Sequence, residues 1–319
     1  MQAYYPEGFL SETEENCNLT ASLAGLEYAL QNRRIVEGRA VLCDEDLNLH
    51  VDLGAFRGLM PAKEVLLRRP EEAHKDIAVI SRVGKPVSAM VTGFETRGGE
   101  TVVLLSRRLA QEECRKEFLA NLRPGDLIPA RVTHLEPFGA FLDIGCGIVS
   151  LLTVDTISVS RISHPRDRLW VGMDLTVAVK SMDPLTGRVY TTLRELLGTW
   201  RENAAQFAVG QTVTGILRSV ESYGIFVELA PNLAGLAELH GEKQAAEMRT
   251  QIGRGAAVYI KSILPERMKI KLVLIDSGFP APRPRELTYY IDPAAGRLSR
   301  WVYSPPECSK QVQTDFGAL

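Results

Sequence analysis

A chain of 319 residues, 45% hydrophobic and 24% charged, has the length for two to four domains and enough apolar content to bury a core in each. Its 37 basic and 39 acidic side chains leave a net charge of −2, which excludes a polyanion binder that works by bulk charge alone. No apolar run reaches the roughly 18 residues of a membrane-spanning helix, and Cys17, Cys43, Cys114, Cys146 and Cys308 are spaced too widely for a zinc site or a disulfide framework.

The first 18 residues carry Glu7, Glu12, Glu14 and Glu15, the wrong sign for a signal or transit peptide. The chain is therefore expected to stay in the cytoplasm, with this stretch mobile. Thr20 to Arg34 has Leu23, Leu26, Ala29 and Leu30 at helical spacing, so 1–33 reads as an acidic segment with one helix. Residues 34–106 alternate as strands do, through Gly38-Arg39-Ala40-Val41-Leu42, Leu49-His50-Val51-Asp52-Leu53-Gly54 and Val87-Ser88-Ala89-Met90-Val91. A charged amphipathic helix is expected over 107–122, with Leu109, Cys114, Phe118 and Leu122 on one side.

Residues 123–194 hold five short alternating stretches punctuated by turn signals, the pattern of a small closed β-barrel rather than a parallel sheet. Phe138 and Phe141, three apart, should face opposite ways along a strand. A bulge at Gly139 would shift the parity and bring both rings to one surface. A second linker helix follows at 195–206, with Leu196, Leu197, Trp200 and Ala204 on one stripe that runs on to Phe207, and Trp200 is expected to pack between neighbouring domains. Beyond 207–275, the tail 276–319 opens with Pro280, Pro282 and Pro284 as a linker. Leu287–Ile291, a turn at Asp292–Gly296 and Arg300–Tyr303 then suggest a β-hairpin whose aromatic edge docks on the third barrel or on a partner.

The central pattern recurs. Adding 85 carries Gly125 to Gly210, Glu136 to Glu221, Phe138 to Tyr223, Gly139 to Gly224, Phe141 to Phe226, Asp143 to Glu228 and Leu151 to Leu236. After a loop four residues shorter, Val179-Lys180-Ser181 becomes Ile260-Lys261-Ser262 and Arg188 becomes Lys269. Such repetition marks an array of modules. Residues 123–194 sum to +1 and 207–275 to +2, whereas 1–33 sum to −4, so cations gather where the paired rings are.

On these residues, Gly125 to Leu193 resembles an S1 RNA-binding domain, carried by Phe-Gly-Ala-Phe-Leu-Asp-Ile-Gly at 138–145, the Pro165 loop before Gly172 and the turn from Asp183 to Arg188. Residues 207–275 resemble it almost as well, and 34–106 resemble an eroded copy. The resemblance implies a mainly β chain of tandem five-stranded OB-fold barrels, joined by short α-helices and ending in a hairpin tail. It also implies an RNA patch made of two aromatics, a residue after the third strand, and the residues flanking the last turn. In the central barrel these are Phe138, Phe141, Thr153, Asp183 and Arg188, with Arg161 and His164 as rim contacts; in the third they are Tyr223, Phe226, Glu238, Leu264 and Lys269. Thr153 stands where many members have His. Glu238 repels phosphate and Leu264 cannot hydrogen-bond, so the third barrel is expected to be the weaker. The first copy has Leu47 and His50 at the ring positions, Pro61 where His is common and Glu95 in place of the turn Asp, and is not expected to hold RNA well.

Catalysis finds no foothold in the pattern. His50, His74, His134, His164 and His240 are scattered, and no nucleophile elbow, P-loop or dinucleotide fingerprint is present, so no enzyme activity, metal or cofactor is expected. His134 reads as a structural or surface residue. The resemblance implies a binder of single-stranded RNA, such as mRNA, acting in translation at the small ribosomal subunit, with the N-terminal part docking on protein. The alternative is a protein-interaction scaffold in an RNA-decay or transcription complex, which near-zero net charge keeps open.

Overall fold

The computed structural model describes residues 4–67, 76–280 and 287–317. The chain divides into two compact units: Met1–Leu122 with Pro129–Arg131 and Asp143–Ser150, and Arg123–Ile128 with Val132–Leu142 and Leu151–Leu319. His74, Pro282 and Pro284 lie outside the described residues.

In the first unit, two helices, α1 (Glu14–Thr20) and α2 (Leu23–Gln31), stand where one was expected. Ser22 explains the break, because its hydroxyl accepts from Gly25 N and starts a new helix. The barrel strands are β1 (Ile35–Cys43), β2 (Leu49–Asp52), β3 (Arg57–Met60), β4 (Pro86–Arg97) and β5 (Glu100–Ser106), with α3 (Asp76–Ile80) before β4. They close in the order β1-β2-β3-β5-β4 around Val36, Ala40, Val51, Met60, Val87, Val103 and Leu105. Alternation in the sequence becomes alternation of burial here, and it closes the core without exposed sheet edges.

The segment expected to be mobile is instead fastened. Glu7 is buried, and its carboxylate takes Arg107 Nε at 2.6 Å and Nη2 at 3.0 Å as well as Ser88 N at 3.1 Å. Its own amide donates to Asp143 Oδ2 at 2.7 Å. Arg107 lies at the start of α4 (Arg107–Glu113), the expected linker helix, which runs only seven residues before a wide turn at Cys114–Phe118 and a 3₁₀ turn at Leu119–Asn121. Along the expected stripe Cys114 and Leu122 are buried and Leu109 and Phe118 half-buried, while the buried face of α4 itself carries Arg107, Ala110 and Gln111. A planar guanidinium paired two-pronged with a carboxylate tolerates that burial.

The central barrel comprises β6 (Leu127–Glu136), β7 (Gly139–Asp143), β8 (Val149–Thr153), β9 (Asp174–Met182) and β10 (Val189–Thr192), in the order β10-β8-β7-β6-β9, with α5 (Val154–Ile157) after β8. The linker that follows is a 3₁₀ turn at Arg194–Leu197, a break at Gly198 (φ 84°), and α6 (Trp200–Ala204) opened by a Thr199–Glu202 capping box. Trp200 is buried in the third barrel's core, as its expected packing role requires. That barrel is β11 (Thr212–Glu221), β12 (Gly224–Ala230), β13 (Leu233–Ala237), β14 (Gly255–Leu264) and β15 (Lys269–Phe279), in the order β11-β12-β13-β15-β14, with α7 (Glu242–Arg249) before β14.

The tail pairs differently from the expectation. β16 (Arg300–Val302) is antiparallel to β17 (Gln313–Asp315), not to Leu287–Ile291. Residues 287–291 spend their polar groups elsewhere: Tyr290 N donates to Leu196 O at 2.9 Å, and Thr176 N donates to Tyr289 Oη at 3.0 Å. The aromatic edge docks on the third barrel, where Trp301 and Tyr303 join the core and Tyr303 Oη donates to Asn232 O at 2.6 Å.

Candidate nucleic-acid interface

In the central barrel a two-residue turn, Pro137-Phe138, joins β6 to β7. Phe138 therefore sits at the tip, 54% exposed, outside the strand whose parity set the expected conflict. Phe141, in β7, is half-buried, and the two rings meet edge to face, with centroids 6.0 Å apart and planes at 88°. No bulge at Gly139 is required. Its glycine serves another end: a Cβ there would lie 2.5 Å from Leu152 O on β8. Tyr223 and Phe226 repeat the arrangement at 6.0 Å and 89°, with Tyr223 66% exposed.

The ring pair has a neighbour that sequence reading set aside. His134, on β6, is exposed and stacks on Phe141, with centroids 6.2 Å apart and planes at 25°, while its Nε2 lies 2.7 Å from Glu136 Oε1. The register of the third barrel explains why. There Ser219, which is His134 shifted by 85, pairs directly with Phe226. A strand partner faces the same side, so the signal was present in the repeat.

Thr153 closes β8 beside the rings, half-buried, with its Oγ1 3.2 Å from Thr156 Oγ1, and Val154 N donates to Phe138 O at 2.9 Å. Asp183 does not project a free carboxylate. It accepts from Leu185 N at 2.9 Å, Thr186 N at 3.3 Å and Thr186 Oγ1 at 2.5 Å, bonds that hold its carboxyl below the usual range, the Thr186 hydroxyl foremost. The carboxylate shapes the turn that presents Arg188, an exposed residue with no side-chain ion pair among the described residues.

Arg161 and His164 part company with the other candidates. His164 Nδ1 accepts from Arg166 N at 3.1 Å and caps the 3₁₀ turn Pro165–Asp167. The loop around it meets the third barrel: Val159 N donates to Asn232 Oδ1 at 2.9 Å and Ser160 N to Pro231 O at 3.1 Å. Arg168, buried, donates to Glu228 Oε1 at 2.6 Å, and Arg218 Nε to Glu228 Oε2 at 2.7 Å. Arg161 itself stays exposed on this joint.

In the third barrel Glu238 is exposed and lies 3.5 Å from Lys261 Nζ, so one cation of that face is already engaged. Leu264 pairs across the last turn with exposed Lys269, and Met268 takes the left-handed φ of 49° that Gly187 (φ 62°) takes in the central barrel. The first barrel carries no ring pair among the described residues. The corresponding paired row is Leu42, His50, Leu59 and Leu104, of which Leu59 is buried; Leu47 sits in the turn with φ 63° and Glu95 is tied to Arg97 at 2.9 Å. No group of three or more His, Cys, Asp or Glu side chains that could hold a metal lies among the described residues.

Closed five-stranded barrels with the strand order described, bearing matched aromatic pairs at matched positions, define a protein built of S1-type OB-fold modules. Comparison with known proteins agrees: the chain is similar to S1-domain proteins. It is 33% identical over 237 residues to the small ribosomal subunit protein bS1 of Mycobacterium tuberculosis (strain ATCC 25618 / H37Rv), covering 71% of this chain and 47% of that protein. It is 29% identical over 223 residues to bS1 of Staphylococcus aureus (strain COL), covering 68% and 54%. The chain thus spans about half the length of the curated relatives it matches. No family model matches it. Among solved structures, a multidomain protein with nucleic acid binding domains from Streptococcus pneumoniae aligns at 14% identity, over 77% of this chain and 74% of its own, with a TM-score of 0.23. The solution structure of GSP13 from Bacillus subtilis aligns at 22% identity over 28% and 61%, with a TM-score of 0.22. Neither superposition bears on function. No helix among the described residues is long and apolar enough to cross a membrane.

Proposed function

We propose that this chain binds single-stranded RNA, mRNA in particular, on the outer faces of its second and third barrels, and acts in translation at the small ribosomal subunit in the cytoplasm. One observation carries the reading: two barrels each hold out a pair of rings at right angles, the outer ring more than half exposed, and each carries an exposed cation, Arg188 or Lys269, where its last turn enters the final strand. Flat rings beside a few cations give base stacking without needing a strongly basic chain. The site residues in this reading are Phe138, Phe141, Thr153 and Arg188, with Asp183 as the support of the turn, and Tyr223, Phe226 and Lys269 in the weaker third barrel. The working modules are 123–194 and 207–275. Residues 1–106, whose barrel lacks the rings, are the part assigned to docking on protein; the names of the relatives support association with the small subunit. No catalytic step is part of the proposal.

Filter binding of an unstructured pyrimidine-rich RNA tests it. Replacing Phe138 and Phe141 together by Ala should cost about 2–4 kcal/mol of binding free energy if both rings stack, and Tyr223→Ala should cost less. Tight binding indifferent to all three changes would mean that RNA lies elsewhere. The ring-less variant should still co-sediment with small ribosomal subunits if docking runs through 1–106.

A further inference from the structure

We infer that Tyr190 is a further RNA-contacting residue of the central barrel, a base platform that extends the aromatic face beyond the Phe138–Phe141 pair. The inference rests on the RNA-binding reading and adds a residue to it.

Strand register carries the argument. In the third barrel Ser219 pairs with Phe226, Phe226 with Leu236, Leu236 with Lys271, and Lys271 with Ser262, one unbroken row over all five strands. Direct partners on neighbouring strands put their side chains on the same face. None of these five is buried, so the row runs along the outside of the barrel. The repeat converts it to His134, Phe141, Leu151, Tyr190 and Ser181, and the central barrel has the same pairing at the far end: Tyr190 pairs with Leu151 on one side and with Ser181 on the other. Its near end is confirmed by the His134–Phe141 stack.

Tyr190 thus stands two strands from Phe141, about 10 Å away, with only the aliphatic Leu151 between. It alternates with buried Val189 and Thr191, which fixes its ring on the outer side, and it lies two residues from Arg188 on the same face. It is half-buried and makes no ring contact with another aromatic among the described residues, so Phe141 and Tyr190 are separate platforms flanking one aliphatic floor. Exposed Lys180, the extra residue where β9 slips register against Tyr190 and Thr191, adds a cation at that end. In the third barrel the row carries Lys271 in place of the ring and Ser219 in place of His134. The two barrels then differ in degree: both hold a ring pair, and the central one adds the rings of Tyr190 and His134 where the third has Lys271 and Ser219.

The test is fluorescence anisotropy of the full chain with a labelled oligouridylate long enough to fill the barrel. Tyr190→Ala should weaken binding about tenfold, and Tyr190→Phe should leave it near the parent value. Photocrosslinking of the unmodified chain to the same RNA carrying 4-thiouridine should place an adduct on Tyr190, a readout that stands even where Tyr190→Ala misfolds. Unchanged affinity of a folded Tyr190→Ala, or crosslinks at Phe138 and Phe141 with none at Tyr190, overturns the inference while the proposed function stands. Indifference of binding to Phe138→Ala with Phe141→Ala would instead remove the proposed function, and this inference with it.

Discussion

Arg168 Nη1 lies 2.6 Å from Glu228 Oε1, each side chain only 5% exposed, so the loop after the central barrel's third strand is pinned to the third barrel by a buried ion pair. Glu228 also takes Arg218 Nε at 2.7 Å, and Arg218 reaches Asp167 at 3.1 Å. Among the described residues Arg168 has Glu228 alone as its carboxylate partner, while Arg218 shares Glu228 with Asp167. Removing the shared charge by Glu228→Gln should destabilise the chain by about 3 kcal/mol or more, because buried charge left unpaired is costly. Urea unfolding measures this, and a midpoint equal to the parent's would show that the joint is not held by charge.

Arg188 and Asp183 should separate cleanly in a salt titration. Arg188→Ala removes one phosphate contact and should make the salt dependence of RNA affinity shallower, by roughly 0.7 in the log–log slope. Asp183→Asn keeps that cation but loosens the bonds to Leu185 N and Thr186 that shape the turn. Its effect should fall on affinity with the slope kept. Equal slopes for parent and Arg188→Ala would show that this cation meets no phosphate.

Asp143 gives a pH signature. Burial, reinforced by the charge of Glu7, pushes its carboxyl up to about 7 from an ordinary 3.8, against the pull of the Glu7 and Gly145 amides and Arg107. Between those pH values the folded chain holds a proton that the unfolded chain releases, so this group's contribution to stability is full below about pH 4 and is lost as pH rises through 7. Asp143→Asn should abolish that slope. Unfolding free energies of both proteins at several pH values provide the check: the parent should lose ground to the variant between pH 4 and 7, and parallel profiles would contradict the assignment.

The barrels were legible in the sequence because a period of two, cut by glycine turns, leaves a five-stranded closure few alternatives, and because the 85-residue repeat states the pattern twice. What escaped was whatever depends on partners distant in the chain. Arg107 reads as a surface charge on an amphipathic helix, and only the fold brings Glu7 a hundred residues to meet it. Residues 287–291 have strand-like composition, yet Thr176 and Leu196 claim their polar groups first. His134 and Tyr190 are ordinary strand residues by sequence, and cross-strand register alone puts them in line with Phe141. Asp183 reads by sequence as an RNA contact, and only the structure shows its carboxylate accepting from Leu185 and Thr186 of its own turn.

The tail should act as a brace whose loss is felt in RNA binding. Trp301 and Tyr303 are buried in the third barrel's core, while Leu298 N donates to Gly125 O at 2.8 Å and Leu127 N to Gly296 O at 2.9 Å in the central barrel. The same few residues therefore grip both modules. Trp301→Ala should cost about 3–5 kcal/mol of stability, in the range of other buried aromatic truncations. Trp301→Phe should cost far less, because the indole Nε1 has no hydrogen-bond partner among the described residues to lose. When two sites are held at fixed separation, the second binding step is intramolecular, and a slack joint lowers its effective concentration. At a temperature where Trp301→Ala remains folded, RNA long enough to reach both barrels should bind more weakly than to the parent, while RNA that fills one barrel should bind alike. Equal weakening of long and short RNA would mean that the substitution damages a single face, and that the two faces do not work together.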